Sequence, residues 1–218
     1  NHVDPSTTDR NKTDFIGGSL GATIRDQLGD LPTVAGTDLV VRSGTVHLPL
    51  QDATPAEVER AVEVCQLARA GGKVDFFEHV TAYKKLILDQ LRHQEPHVKT
   101  ADHITWGLSR SLAGVGETLP MDITVLTIGG DVAIVCLPGE VFVELGLAIK
   151  QGSPFRTTLV VELSNAVESI YVPHRAAYAG GSYEVTNSNL EPGGGEMLVE
   201  AALALLRDAA TSRTAPGR

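Results

Sequence analysis

The stretch from Leu119 to Cys136 constrains the fold more than any other part of the chain. Met121, Ile123, Val125 and Thr127 alternate with other residues, Gly129-Gly130-Asp131 interrupts them, and Val132, Ile134 and Cys136 resume the alternation. A two-residue apolar period on both sides of a glycine-rich turn is the signature of a β-hairpin. The hairpin ends at Pro138-Gly139-Glu140, which reads as the opening of a helix carrying Val141, Leu145, Leu147, Ala148 and Ile149.

The flanking segments supply the other elements. Asp38 to Leu50 is rich in Val, Leu and Thr and predicts a strand; Thr54 then caps a helix whose first turn holds Pro55. That helix runs from Ala56 to Ala70, stops at Gly71-Gly72, and is followed by a second amphipathic helix from Glu78 to His93, so the two form a helical hairpin. Asp14 to Leu28 and Glu196 to Ala209 are further amphipathic helices, and Thr157 to Leu163 is a buried strand. The fold class is α/β, a mixed central sheet of about four or five strands with helices packed on its faces. Residues 1–212 read as one domain and 213–218 as a flexible tail.

Composition excludes several functions. Of 218 residues, 42% are hydrophobic and 21% charged, the balance of an ordinary soluble globular domain. Eighteen Lys and Arg against 27 Asp and Glu give a formal charge of -9 with no basic stripe, so nucleic acid is not an expected partner. The longest apolar run, Val132 to Pro138, falls far short of the roughly 20 residues that span a bilayer, so no transmembrane segment is expected. Cys65 and Cys136 sit in unlike settings without a metal-binding spacing and read as thiols packed as small hydrophobes.

The residues that carry chemistry are few. His93 and His97 have an i, i+4 spacing, but Pro96 would break the helix between them, so a two-histidine metal site is not expected there. His47, His79 and His103 read as surface or structural residues. Glu140 follows a strand directly at a Pro-Gly turn, where a carboxylate is held at the edge of a sheet; it either complements the helix dipole or faces a site. Ser164 to Gly195 contains no convincing periodic element, and an irregular segment of that length inside a compact domain is usually functional or mobile. Three of the four tyrosines, Tyr171, Tyr178 and Tyr183, lie within it, followed by Glu184. Phenols beside glycine-rich backbone suit metal ligation, oxyanion stabilisation or plain loop packing. Gly193-Gly194-Gly195-Glu196 lacks the Lys-Ser/Thr of a phosphate-binding loop and reads as a structural turn.

Leu137-Pro138-Gly139-Glu140 after a hydrophobic hairpin, Leu163-Ser164-Asn165-Ala166, and Tyr171-Val172 with Tyr178 and Tyr183-Glu184 before a glycine-rich turn together resemble the neutral, non-lysosomal ceramidase family. The resemblance spans most of the chain in order, with its identities concentrated between Leu137 and Gly195. Asn1-His2-Val3-Asp4 resembles the place where that family carries Gly-Asp-Val-Ser-Pro-Asn. The chain departs from the pattern at two points. Asn1 stands where the family has its catalytic serine, and Val172-Pro173-His174 replaces the family's Val-Thr-Thr.

The resemblance implies a zinc-dependent hydrolase of an N-acyl (amide) linkage in a lipid such as ceramide, of which this chain is the C-terminal part of the catalytic domain. It implies Glu140 and Tyr171 as zinc ligands, completed by two histidines before residue 1, and a secreted or periplasmic setting. Tyr178 is then the expected stabiliser of the tetrahedral intermediate, and His2 the expected acid or base in place of the absent serine. Two other functions fit the same residues: an inactive ceramidase-like binding or scaffolding module, and a zinc esterase or amidase with a different substrate.

Overall fold

The computed structural model of the protein describes residues 12–34, 36–97, 112–165 and 171–212. The chain forms two compact units, Asn1–Ala35 and Gly36–Arg218. In the first, Lys12 precedes helix α1, Thr13–Gln27, and a 3-10 turn, Leu28–Asp30, ends it. None of its residues is buried.

The second unit is built on a four-stranded sheet in the order β1-β2-β3-β5. Strand β1, Leu39–Pro49, pairs antiparallel along its whole length with β2, Thr118–Ile128, and β2 turns through Gly129, at φ 54°, into β3, Val132–Cys136. Strand β5, Thr157–Val161, returns parallel to β3, so the sheet is mixed. The chain is therefore of the mixed α/β class that the hairpin and helix pattern predicts.

Alternation decides which face is covered. Leu119, Met121, Ile123 and Val125 are buried on one face of β2, and the β1 residues opposite them include Val46 and Gly44. The last helix, α6, Gly194–Thr211, lies across that face. Gly44 permits the approach, because a Cβ there would already stand 3.4 Å from Leu205. The other face is polar at the middle of β1 and β2, where Thr45 Oγ1 donates to Asp122 at 2.6 Å and the Ser43 and Thr124 hydroxyls lie 3.2 Å apart, and apolar at the hairpin end, where Leu39 and Val41 are exposed.

Helix α2, Pro55–Arg69, starts as the sequence requires: Thr54 and Glu57 form a reciprocal capping box with Pro55 behind it. Helix α3, Phe76–Arg92, is capped by Asp75, whose carboxylate accepts from the Phe77 and Glu78 amides. The two helices pack as the expected hairpin, and Val58, Ala61, Leu88 and Leu91 join the sheet residues in one apolar core. No described helix is long and apolar enough to cross a membrane. Cys65 and Cys136 are free and half-buried, and burial pushes the Cys65 thiol up.

The largest departure from expectation follows the hairpin. Pro138-Gly139-Glu140 does not open a helix. Glu140–Val141 forms a short strand, β4, and helix α4, Val143–Gly152, begins only after it. The partner of β4 is β6, Tyr171–Val172, inside the segment without periodicity. A 3-10 turn, Arg175–Ala179, and a short helix α5, Tyr183–Thr186, complete that segment. Two-residue strands leave no period to read, because their order comes from backbone pairing with a distant partner rather than from local pattern.

Candidate functional site

The site is assembled by the turn after β3. Gly139 takes φ 78°, a conformation that favours glycine, and its carbonyl accepts from the Leu163 amide while Leu137 exchanges bonds with Val161 and Ser164. The chain leaves this turn as β4, whose Glu140 pairs with Tyr171 of β6 in parallel register. Phe142 N–H donates to Val172 O at 3.1 Å, and the Glu162 carboxylate accepts from Val141 N–H at 2.9 Å, so both ends of the short strand are anchored.

Register brings the two side chains together. The Tyr171 phenol lies close enough to the Glu140 carboxylate to feel its charge, and its pKa is pushed up to about 12. Burial is the first cause, followed by the negative charge of Glu140, with Tyr183 and Glu184 adding to it. The Tyr183 ring meets Tyr171 edge-on at 5.7 Å, and Asn187 Nδ2 donates to the Tyr183 hydroxyl at 3.4 Å.

A polar scaffold fixes β6 from behind. Ser188 Oγ donates to the Tyr171 carbonyl at 2.9 Å. Gln51 Nε2 in turn donates to the carbonyls of Ser188 and Leu190, and Lys84 Nζ donates to Gln51 Oε1 at 3.0 Å. Lys84 is only 7% exposed, and burial lowers its pKa to about 8. Helix α6 closes the scaffold through Gly195, where a Cβ would stand 2.6 Å from Pro173 O. The glycine-rich turn before α6 is filled by protein: the Arg175 guanidinium lies against Gly193, and Glu196 Oε1 accepts from Arg175 N–H at 2.8 Å.

Glu140 and Tyr171, named from the sequence as a pair, thus lie side by side. Tyr178 is placed differently. Its hydroxyl donates to Leu190 O at 2.8 Å and lies 3.3 Å from Ser188 Oγ, so it holds the turn behind β6. His2 lies outside the described residues. Tyr183 was visible in the sequence as one of three loop tyrosines, but nothing in spacing ranks it above Tyr178; only the fold sets its ring on Tyr171.

The His93 and His97 pair set aside in the sequence gains a third member, Asp89, which the sequence reading did not name. Helix α3 does end before Pro96, yet His93 and His97 still meet, with ring centroids 4.7 Å apart, around the carboxylate of Asp89. His93 Nδ1 lies 3.1 Å and His97 Nδ1 2.6 Å from Asp89 Oδ1. The helix break brings the histidines together, because the returning turn also points His97 N–H at the same oxygen, 3.2 Å away.

For zinc at the first site, the chain offers one carboxylate and one phenol, oxygen donors that zinc accepts. His174 does not add to the pair: its Nε2 lies 3.8 Å from Glu144 of α4, and its ring packs against Phe142.

No protein-family model and no curated protein matches the chain. Among solved structures, the chain is similar to the neutral ceramidase from Pseudomonas aeruginosa, with a TM-score of 0.56 and 18% sequence identity over all of this chain and 36% of that chain. The chain thus spans about a third of the length of that enzyme. At that identity the likeness is one of fold: the protein has a ceramidase-like mixed α/β fold.

Proposed function

We propose that the protein is a zinc-dependent hydrolase of an N-acyl linkage in a lipid such as ceramide, and that Glu140 and Tyr171 are two of its zinc ligands. The observation that carries the reading is the pairing of Glu140 with Tyr171 across β4 and β6, which sets the phenol beside the carboxylate. On this reading the ligand set would be completed by the two upstream histidines that the ceramidase resemblance implies. Zinc held there would polarise an amide carbonyl and bring the pKa of a bound water toward about 7.

The protein's own groups take distinct tasks. Tyr171, its pKa raised to about 12, holds its proton through the neutral range beside the Glu140 carboxylate until a metal displaces it. Tyr183, beside Tyr171, donates to the oxyanion of the tetrahedral intermediate, the role the sequence suggested for Tyr178, whose proton is committed to Leu190 O. His2 is the proposed acid or base in place of the family's serine. An apolar cavity of about 310 Å³, lined by Val141, Phe142, Leu147 and Val160 with Lys150 and Glu162, begins one residue from Glu140 and suits an acyl chain.

The test is hydrolysis by the longest natural form of the protein, offered ceramide, an N-acyl amino acid and a water-soluble ester. Cleavage of ceramide that disappears in Glu140→Ala supports the reading. Cleavage of the ester alone makes the protein a zinc esterase, and turnover of none of the three leaves a binding module of ceramidase-like fold.

A further inference from the structure

We propose that Asp89, His93 and His97 form a second metal site, binding a borderline divalent cation of the zinc class at the C-terminal end of α3. The three donor atoms lie within 4.8 Å of one another. Two imidazole nitrogens and one carboxylate oxygen are the mixed nitrogen and oxygen set that zinc takes, whereas calcium and magnesium take oxygen alone.

The arrangement is preorganised by the backbone. Asp89 is 1% exposed, on the buried face of α3, so its carboxylate forms a fixed inner wall. Burying a carboxylate is costly unless a cation or hydrogen-bond donors face it. The next cation along the helix, Arg92, is turned away to Asp52, at 3.2 Å. Asp89 instead faces His93, held at the helix end by its own N–H to Asp89 O, and His97, held by N–H to Asp89 Oδ1. Both backbone attachments hold the two residues within reach of the carboxylate.

Distance permits the ion. In a tetrahedral zinc site with bonds of about 2.0–2.1 Å, neighbouring donors stand about 3.3 Å apart. The Oδ1 to Nδ1 distances of 3.1 and 2.6 Å therefore need to open by less than about 1 Å to admit the metal. To ligate through Nδ1 each imidazole would carry its proton on Nε2, and His93 would give up the 2.9 Å contact of its Nδ1 with Asp89 O. The imidazoles are 33% and 36% exposed, so solvent reaches the mouth of the cluster and water can complete the shell. The cation would lock the turn from Arg92 to His97 onto the helix.

The experiment is metal titration of the full chain, freed of metal by chelation, with zinc followed by calorimetry and cobalt(II) by its visible absorption. His97→Gln is the main variant because its side chain is partly exposed and its removal opens no cavity; His93→Gln is the second. Saturable zinc binding that raises the melting temperature, is weakened at least tenfold by either histidine change, and persists in Glu140→Ala supports the site. No saturable binding, or binding unchanged in both histidine variants, overturns it. Zinc lost in Glu140→Ala but kept in both histidine variants overturns it too, while leaving the proposed hydrolase site intact.

Discussion

The pair Glu140–Tyr171 and the cluster Asp89–His93–His97 each set a carboxylate against groups that carry a proton, but the fold makes them in opposite ways. At the first, two residues 31 positions apart meet because two short strands pair in parallel, and the register decides which side chains touch. At the second, all three residues lie within nine positions, and a helix that stops at Arg92 folds the third back on the first. A site made by register fails when the register or its scaffold shifts. A site made by a helix end fails when one of its own side chains is removed. The two should therefore respond to different mutations.

The largest expected effect is at the register-made site. Glu140→Ala and Tyr171→Phe should each lower hydrolysis of an N-acyl lipid by about 100-fold or more, since even residues supporting metal ligands are worth about 10–100-fold. Both should leave zinc binding at the helix end unchanged. Equal loss of activity in His97→Gln would erase the distinction between the sites.

Next is the scaffold. Gly195→Ala places a methyl 2.6 Å from Pro173 O, two residues beyond Tyr171, and backbone cannot yield as a flexible side chain does. We expect a loss of about 1–3 kcal/mol in urea unfolding, together with weaker zinc binding at Glu140 and Tyr171 only. An unchanged unfolding midpoint would mean that α6 does not hold β6 in place.

How the sequence exposed one region and hid the other follows from the same difference. The hairpin, the Thr54 cap with Pro55 behind it and the apolar stripe of α6 are local or periodic, and each is found within a residue or two of its predicted place. The fold class followed from them. Glu140 and Tyr171 were legible only through a resemblance of motifs, since β4 and β6 are two residues each and carry no period. Spacing alone could not rank Tyr178 and Tyr183, because a 3-10 turn and a one-turn helix decide which loop ring lies against Tyr171. Asp89 was hidden behind a correct inference: Pro96 does exclude a continuous helix, but a broken helix can return.

A smaller effect tests the scaffold through pH. Lys84 titrates near 8 when folded, against 10.5 ordinarily, because it is buried. Between those values the unfolded chain holds a proton that the folded chain lacks, so stability should rise with pH across that window. We expect a gain of about 1–3 kcal/mol in wild type, read from denaturation midpoints at pH 7.5 and 10 chosen to bracket most of the window, and a flat profile in Lys84→Met. Tyr171 runs the other way: its folded pKa, about 12 against 10, removes stability as pH rises from 10 to 12, a slope that Tyr171→Phe should make shallower, with the raised Tyr83 and Tyr178 phenols supplying the rest. The smallest effect is Tyr178→Phe, which loses the bond to Leu190 O and should cost about 1 kcal/mol with zinc binding retained. A loss of hydrolysis far beyond that cost would return Tyr178 to the chemistry.

The most direct test of the central claim is zinc content per chain, by elemental analysis of the longest natural form of the protein, in a His97→Gln background that silences the helix-end cluster. The account predicts one zinc per chain, lost on adding Glu140→Ala or Tyr171→Phe. No zinc in that background, or zinc indifferent to both changes, would contradict a metal site at Glu140 and Tyr171.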